Sequence, residues 1–184
     1  MKRQERFSTQ TTSTVSAWRI ELEKITSSTE KLALVGIGHP LRSDDFVGSY
    51  VAKRLIERQS KHELSGGVHI FDGEDNVEAL ISRIADLEPE HVIFIDACEM
   101  KTDPGETQLI SVTQTGYPFF TTHGVPLKVL AEKLLSNSQV WILAIQPKQT
   151  GFGEQLSPEI RAVADSISEL FATILKERDP RIDN

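Results

Sequence analysis

The stretch LALVGIGHPLRSDDFVGS, residues 32–49, decides how the chain folds. Its first seven residues form a short apolar run that ends in Gly36-Ile37-Gly38. A run that short, with no polar alternation, reads as a strand covered on both faces. Just beyond it, Val47, Val51 and Leu55 recur at helical spacing, so residues 44–58 read as an amphipathic helix. Asp44 and Asp45 stand side by side at its start. Gly-x-Gly after a strand usually suggests a bound phosphate, yet two carboxylates would repel one. The stretch therefore asks whether an anion or a cation sits at the end of this strand.

The pattern set by these residues repeats along the chain. VHIFD (68–72), HVIFIDA (91–97) and QVWILAI (139–145) read as further strands. TQLISV (107–112) is another, preceded by a turn at Asp103-Pro104-Gly105. It follows its predecessor too closely for a helical crossover, so that pair is expected to be antiparallel. Helical spacing marks residues 76–86, residues 125–135, and a last helix whose stripe is Ile160, Val163, Ile167, Leu170 and Ile174. Ser157-Pro158 reads as the start of that last helix, a capping hydroxyl followed by proline at the first helical position. Apolar strands alternating with helices predict a three-layer α/β/α sandwich with about five mostly parallel strands.

Domain organisation follows from the same pass. Residues 1–14 lack a core-forming pattern and read as a tail. Val15, Trp18, Leu22 and Ile25 predict a short amphipathic helix over 14–26, followed by a linker at 26–31. Residues 1–30 are thus an N-terminal extension, 31–178 the main domain and 179–184 a C-terminal tail. With 184 residues and 39% apolar content, the chain suits one compact domain. A net charge of −7 argues against a nucleic-acid partner. No apolar run approaches the roughly eighteen residues of a membrane span, and no apolar segment follows the charged N-terminus as in a secretory signal. The expectation is a cytoplasmic protein. Cys98 is the single cysteine, which excludes an internal disulfide and a zinc site built on several thiolates.

In sheets of this kind, ligands bind beyond the carboxyl ends of the strands. That rule gathers Asp44 and Asp45 after the first strand, and Asp72 and Glu74 at the end of the second. It adds Asp96, Cys98 and Glu99 around the end of the third, and His123 before the last strand. Each has an ordinary structural reading. One of Asp44 and Asp45 suffices as a helix cap, Asp96 can form a turn, and a lone histidine is commonly structural. Taken together, two carboxylates and one imidazole make an O,O,N donor set with open positions. Such a set suits a borderline divalent cation such as Ni²⁺ or Zn²⁺ better than Mg²⁺. A cation also reconciles the acidic pair with Gly36 and Gly38, which then serve close backbone approach. The dinucleotide fingerprint fails because Leu41 occupies the third glycine position, and neither a P-loop lysine nor a G-x-S-x-G elbow is present. Cys98 with His123 as a thiol nucleophile pair is the weaker enzymatic reading.

GIGHPLRSDDFVGSYVAKRL resembles the opening signature of the hydrogenase maturation endopeptidases, G-x-G-N-x-L-x-x-D-[DE]-G-x-G. VIFIDACEMKTDPGE resembles the family's strand-end aspartate and Pro-Gly turn, and TTHGVPLKVLAEKL its histidine segment. LAIQPKQTGFGEQLSPEI resembles the stretch found in the branch that matures hydrogenase 3. The likeness runs from about Lys31 to Lys176. It implies an α/β sandwich of the phosphorylase/hydrolase-like kind. It also implies an endopeptidase that cuts a C-terminal extension from the large-subunit precursor of a [NiFe] hydrogenase once nickel is inserted. By position, Asp45, Asp96 and His123 are the implied catalytic and metal-contacting residues. The nickel is the one presented by the substrate, for which zinc or cadmium would stand in within a crystal. Three departures stand out: His39 in place of the usual Asn, Phe46 in place of Gly, and Gly73-Glu74-Asp75 in place of a small-residue loop. A nickel-dependent chaperone without catalysis and a nucleotide-binding α/β protein are the alternative readings.

Overall fold

The computed structural model describes residues 16–64, 66–112 and 136–178. The described elements run α1 (Ala17–Ser28), β1 (Leu32–Ile37), a 3-10 turn (Ser43–Phe46), α2 (Val47–Ser60), β2 (Val68–Glu74) and α3 (Glu78–Asp86). They continue with β3 (His91–Ala97), β4 (Thr107–Ser111), β5 (Gln139–Ile145) and a final helix, here α4 (Pro158–Glu177). The five strands form one sheet in the order β2-β1-β3-β5-β4. All described pairings are parallel except β4 with β5.

The expected antiparallel pairing is present but with a different partner. β4 does not lie beside β3. It takes the sheet edge and leaves a slot that β5 fills, so its antiparallel neighbour is β5. The short β3–β4 connection spans that slot without a helix. Its backbone is tied to the end of β5, because Gly105 N donates to Gln146 O at 2.8 Å and Gln146 N to Glu106 O at 2.9 Å.

The period of two along each central strand sorts its side chains onto two faces. Leu32, Leu34, Ile93, Ile95, Leu143 and Ile145 pack with Leu22 of α1, Val51 and Leu55 of α2, and Ile160, Ile167 and Phe171 of α4. Ala33, Val35, Ile37, Val92, Phe94 and Ile142 pack on the other face with Ile81 and Ile84 of α3. This is the three-layer sandwich that the apolar strands predict. α1 starts and ends a little later than its spacing suggests, and its Leu22 and Ile25 are buried in the main core. The helix expected over residues 125–135 and the N-terminal tail lie outside the described residues.

Two glycines bring α2 down onto the sheet. A Cβ on Gly36 would lie 2.2 Å from the Gly48 carbonyl oxygen, and one on Gly48 would lie 1.9 Å from that of Ile95. Real Cβ atoms do not approach that closely, so only glycine at these positions lets the start of α2 rest on the ends of β1 and β3. This contact sets where the acidic turn sits.

Candidate active site

Asp45 belongs to the 3-10 turn between β1 and α2 and is fully buried. The chain reaches it by folding back from Gly38. The φ of Gly38 is +151°, and a Cβ there would stand 2.2 Å from the Asp45 carbonyl oxygen. The Gly-x-Gly pair therefore serves a tight backbone approach. His39 N donates to Asp45 Oδ2 at 3.1 Å, which fixes that carboxylate against the loop. Asp96 is the penultimate residue of β3, fully buried, in register with Ala144 of β5. The turn packs against β3. Gly48 rests on the carbonyl of Ile95, the residue before Asp96. The sheet thus brings Asp45 and Asp96 to one edge from two separate elements. His123 lies outside the described residues. Among the described residues, no three His, Cys, Asp or Glu side chains cluster as a metal site.

Asp44 takes a different part from its neighbour. It does not cap α2, whose first turn has no side-chain cap. Its buried carboxylate reaches the loop after β5 instead. Oδ1 accepts from Ser157 N at 2.6 Å, and Oδ2 from Ser157 Oγ, Lys148 N and Gln149 N at 3.0, 3.1 and 3.0 Å. Three more backbone bonds join the same segments, Ser43 N to Gly153 O, Asp44 N to Gln149 O and Gly153 N to Leu41 O. Asp44 is the clamp that locks the loop over residues 147–157 to the acidic turn. This corrects the reading of Ser157 as a capping hydroxyl. Ser157 occupies the cap position of α4 and Pro158 opens the helix, but the hydroxyl donates to Asp44. A buried carboxylate with four donors outcompetes the local cap.

The acidic residues of β2 are paired with a lysine of α2. Lys53 Nζ lies 3.2 Å from both Asp72 Oδ2 and Glu74 Oε1, and 4.9 Å from the Phe46 ring centroid. Burial acts against the Lys53 ammonium, but its hydrogen bonds to Asp72 and Glu74 and their charges win, and its pKa rises. Phe46, one of the departures from the family pattern, thus supplies an aromatic face for this lysine. His39 is another departure. Its Nδ1 accepts from Leu41 N at 3.1 Å and its Nε2 lies 3.7 Å from Asp75 Oδ2, so the ring braces the loop.

Cys98 is buried. Desolvation first, and the charge of Asp96 second, push its thiol far above the ordinary range. Burial and a raised pKa disfavour the thiolate that a cysteine nucleophile needs, which argues against the cysteine-enzyme reading. Sequence reasoning missed Gln146, the residue after β5. Its Oε1 accepts from Met100 N at 2.7 Å, and its Nε2 donates to Glu99 Oε1 at 3.2 Å and to Pro147 O at 3.0 Å. It holds the segment that follows Asp96. The available signal was a buried polar residue just beyond an apolar strand, at the edge where ligands bind.

A family model for hydrogenase maturation protease, HycI, matches residues 49–177. The chain belongs to this family. Asp96 and His123 fall inside the matched range and Asp45 just ahead of it. The protease is 31% identical to a [NiFe] hydrogenase maturation protease HycI from Thermococcus kodakarensis in its crystal structure. That likeness covers 85% of this chain and 99% of the other, with a TM-score of 0.75. It is 27% identical to the hydrogenase 3 maturation protease of Escherichia coli K12, over 73% of this chain and 84% of that one. The maturating endopeptidase HybD of Escherichia coli shares the fold at 20% identity and a TM-score of 0.61, covering 80% of this chain and 93% of that one. The protease thus acts by peptide hydrolysis in hydrogenase maturation. No helix among the described residues is long and apolar enough to cross a membrane.

Proposed function

We propose that the protease removes the C-terminal extension of a [NiFe]-hydrogenase large-subunit precursor in the cytoplasm. In this reading Asp45, Asp96 and His123 recognise nickel that the precursor already carries. The observation behind it is the delivery of two fully buried carboxylates, Asp45 and Asp96, to one sheet edge from separate elements. Buried negative charge is costly in a low dielectric, and an incoming cation relieves that cost. Two oxygens plus an imidazole match a borderline metal with open positions. The nickel belongs to the substrate and its binding positions the scissile peptide. Hydrolysis then needs a water whose oxygen attacks the carbonyl carbon while the C–N bond breaks and the new amine takes a proton. A carboxylate of the pair, acting on that water as general base, fits the aspartic type of peptidase.

Recognition through the substrate's nickel makes cleavage conditional on loading. The test is incubation of the protease with nickel-loaded and empty precursor, with the tail followed by mass spectrometry. Asp45→Asn, Asp96→Asn and His123→Ala serve as controls. Tail loss from loaded precursor with wild type alone supports the reading. Equal cleavage of both precursors refutes nickel recognition. An intact loaded precursor that co-purifies with wild type supports the chaperone instead.

A further inference from the structure

The geometry points to Phe152, with Leu41 beside it, as the docking contact that seats the hydrogenase precursor on the protease through an apolar side chain near the cut bond. This inference rests on the proposed function. Phe152 is 88% exposed and Leu41 is 40% exposed, in a chain whose other large apolar side chains are mostly in the core. A single exposed apolar residue is ordinary; its setting here is not.

Phe152 is carried on a loop fixed to the acidic turn. Residues 42 and 153 form a parallel bridge. Ser43 N donates to Gly153 O at 2.8 Å, Gly153 N to Leu41 O at 2.9 Å and Asp44 N to Gln149 O at 3.2 Å. A Cβ on Gly153 would lie 2.4 Å from Ser43 Oγ, so the Ser43 side chain packs directly on this glycine. The Asp44 carboxylate clamps the same loop from below. An apolar ring held in water on a rigid mount keeps its hydration cost without the entropy cost of ordering on binding. A Cβ on the preceding Gly151 would meet nothing within 4 Å, so the loop is open to solvent at that residue too.

Position names the occupant. Asp45 follows Asp44 directly, so the mount of Phe152 and the carboxylate of the site share one four-residue turn. Phe152 adjoins Gly153, which is bonded to Ser43 and Leu41 beside that turn, so a precursor that brings its nickel to Asp45 has Leu41 and Phe152 on the neighbouring surface. The contact is continuous with the substrate-binding edge, and its chemistry asks for an aliphatic or aromatic side chain on the precursor. A few apolar or aromatic anchors that become desolvated on binding carry most of the energy of an interface.

The test uses the full-length protease and the nickel-loaded precursor of a hydrogenase from the same source. Phe152→Ala should raise KM for that precursor about ten-fold or more, with the loss in KM rather than kcat. Phe152→Leu should recover most of the affinity. Ile56→Ala, which removes an exposed apolar side chain on α2 well away from this edge, should leave KM alone. Because Phe152 touches so little of its own chain, Tm should hold in both Phe152 variants. If wild type cuts and Phe152→Ala keeps the wild-type KM, this inference fails and the proposed function stands. If wild type neither binds nor cuts the loaded precursor, both fail.

Discussion

Asp44→Ala should damage the fold far more than the site. The carboxylate is fully buried and accepts four hydrogen bonds across more than a hundred residues of sequence. Alanine orphans the buried Ser157 N–H at about 2 kcal/mol and leaves its hydroxyl to find another acceptor at about 1 kcal/mol. The Lys148 and Gln149 amides are part-buried, so water can reach them, and each adds about 0.5 kcal/mol. The sum is about 4 kcal/mol, a large share of the roughly 5–15 kcal/mol that holds a domain together. At roughly 2–4 °C per kcal/mol for a chain of this size, Tm falls by roughly 8–16 °C. Asp44→Asn keeps one oxygen acceptor but turns an amide donor toward N–H groups, so its loss should be about half as large. Asp45→Asn keeps an oxygen for the His39 N–H and should lie near wild type in Tm while losing cleavage. Thermal unfolding by circular dichroism, beside cleavage assayed well below each Tm, reads both effects. An Asp44→Ala protein that melts within about 3 °C of wild type would refute the clamp.

Three further predictions follow from other parts of the molecule. Gly38→Ala should destabilise the chain by about 2 kcal/mol or more and abolish cleavage, measured by urea unfolding and the precursor assay, because its Cβ would collide with the Asp45 carbonyl. Cys98→Ala should retain cleavage, and wild-type Cys98 should resist iodoacetamide at pH 8 until the protein unfolds, since burial holds the thiol protonated. His91 has a lowered pKa, chiefly from burial and against the pull of the Glu90 charge. Its Nδ1 also accepts from Trp141 Nε1 at 3.0 Å, which keeps the neutral ring in place. The unfolded state therefore binds the proton more readily. The stability from neutral His91 is complete above about pH 6.5 and is lost as pH falls through the unfolded pKa toward the lower folded one. Between pH 8 and pH 5, His91→Gln should lose less Tm than wild type; an equal loss would count against the assignment.

The sandwich was legible because each central strand is apolar at nearly every position, and period-two burial on both faces requires that composition. β1 and β3 announce themselves this way, and Gly36 and Gly38 mark the places where backbone meets backbone. The slot between β3 and β4 was not legible. A sequence displays the length of a connection and not the strand that later enters the gap, so β4 seemed to belong beside β3.

The acidic pair divides in the same manner. The sequence by itself placed Asp44, Asp45 and Asp96 at the ligand edge, because strand ends and turn residues are local signals. Only tertiary structure decided that Asp44 is the aspartate that builds, by clamping the loop after β5. The donors that claim Asp44 lie beyond residue 146 and reach it only after β5 has entered the sheet. The same distant contacts took Ser157 from its cap, and a separate tertiary contact between α2 and β2 gave Asp72 and Glu74 to Lys53. Local propensity depends on neighbours in the chain, whereas the choice of a hydrogen-bond partner for a buried charge depends on what folding brings within about 3 Å of it.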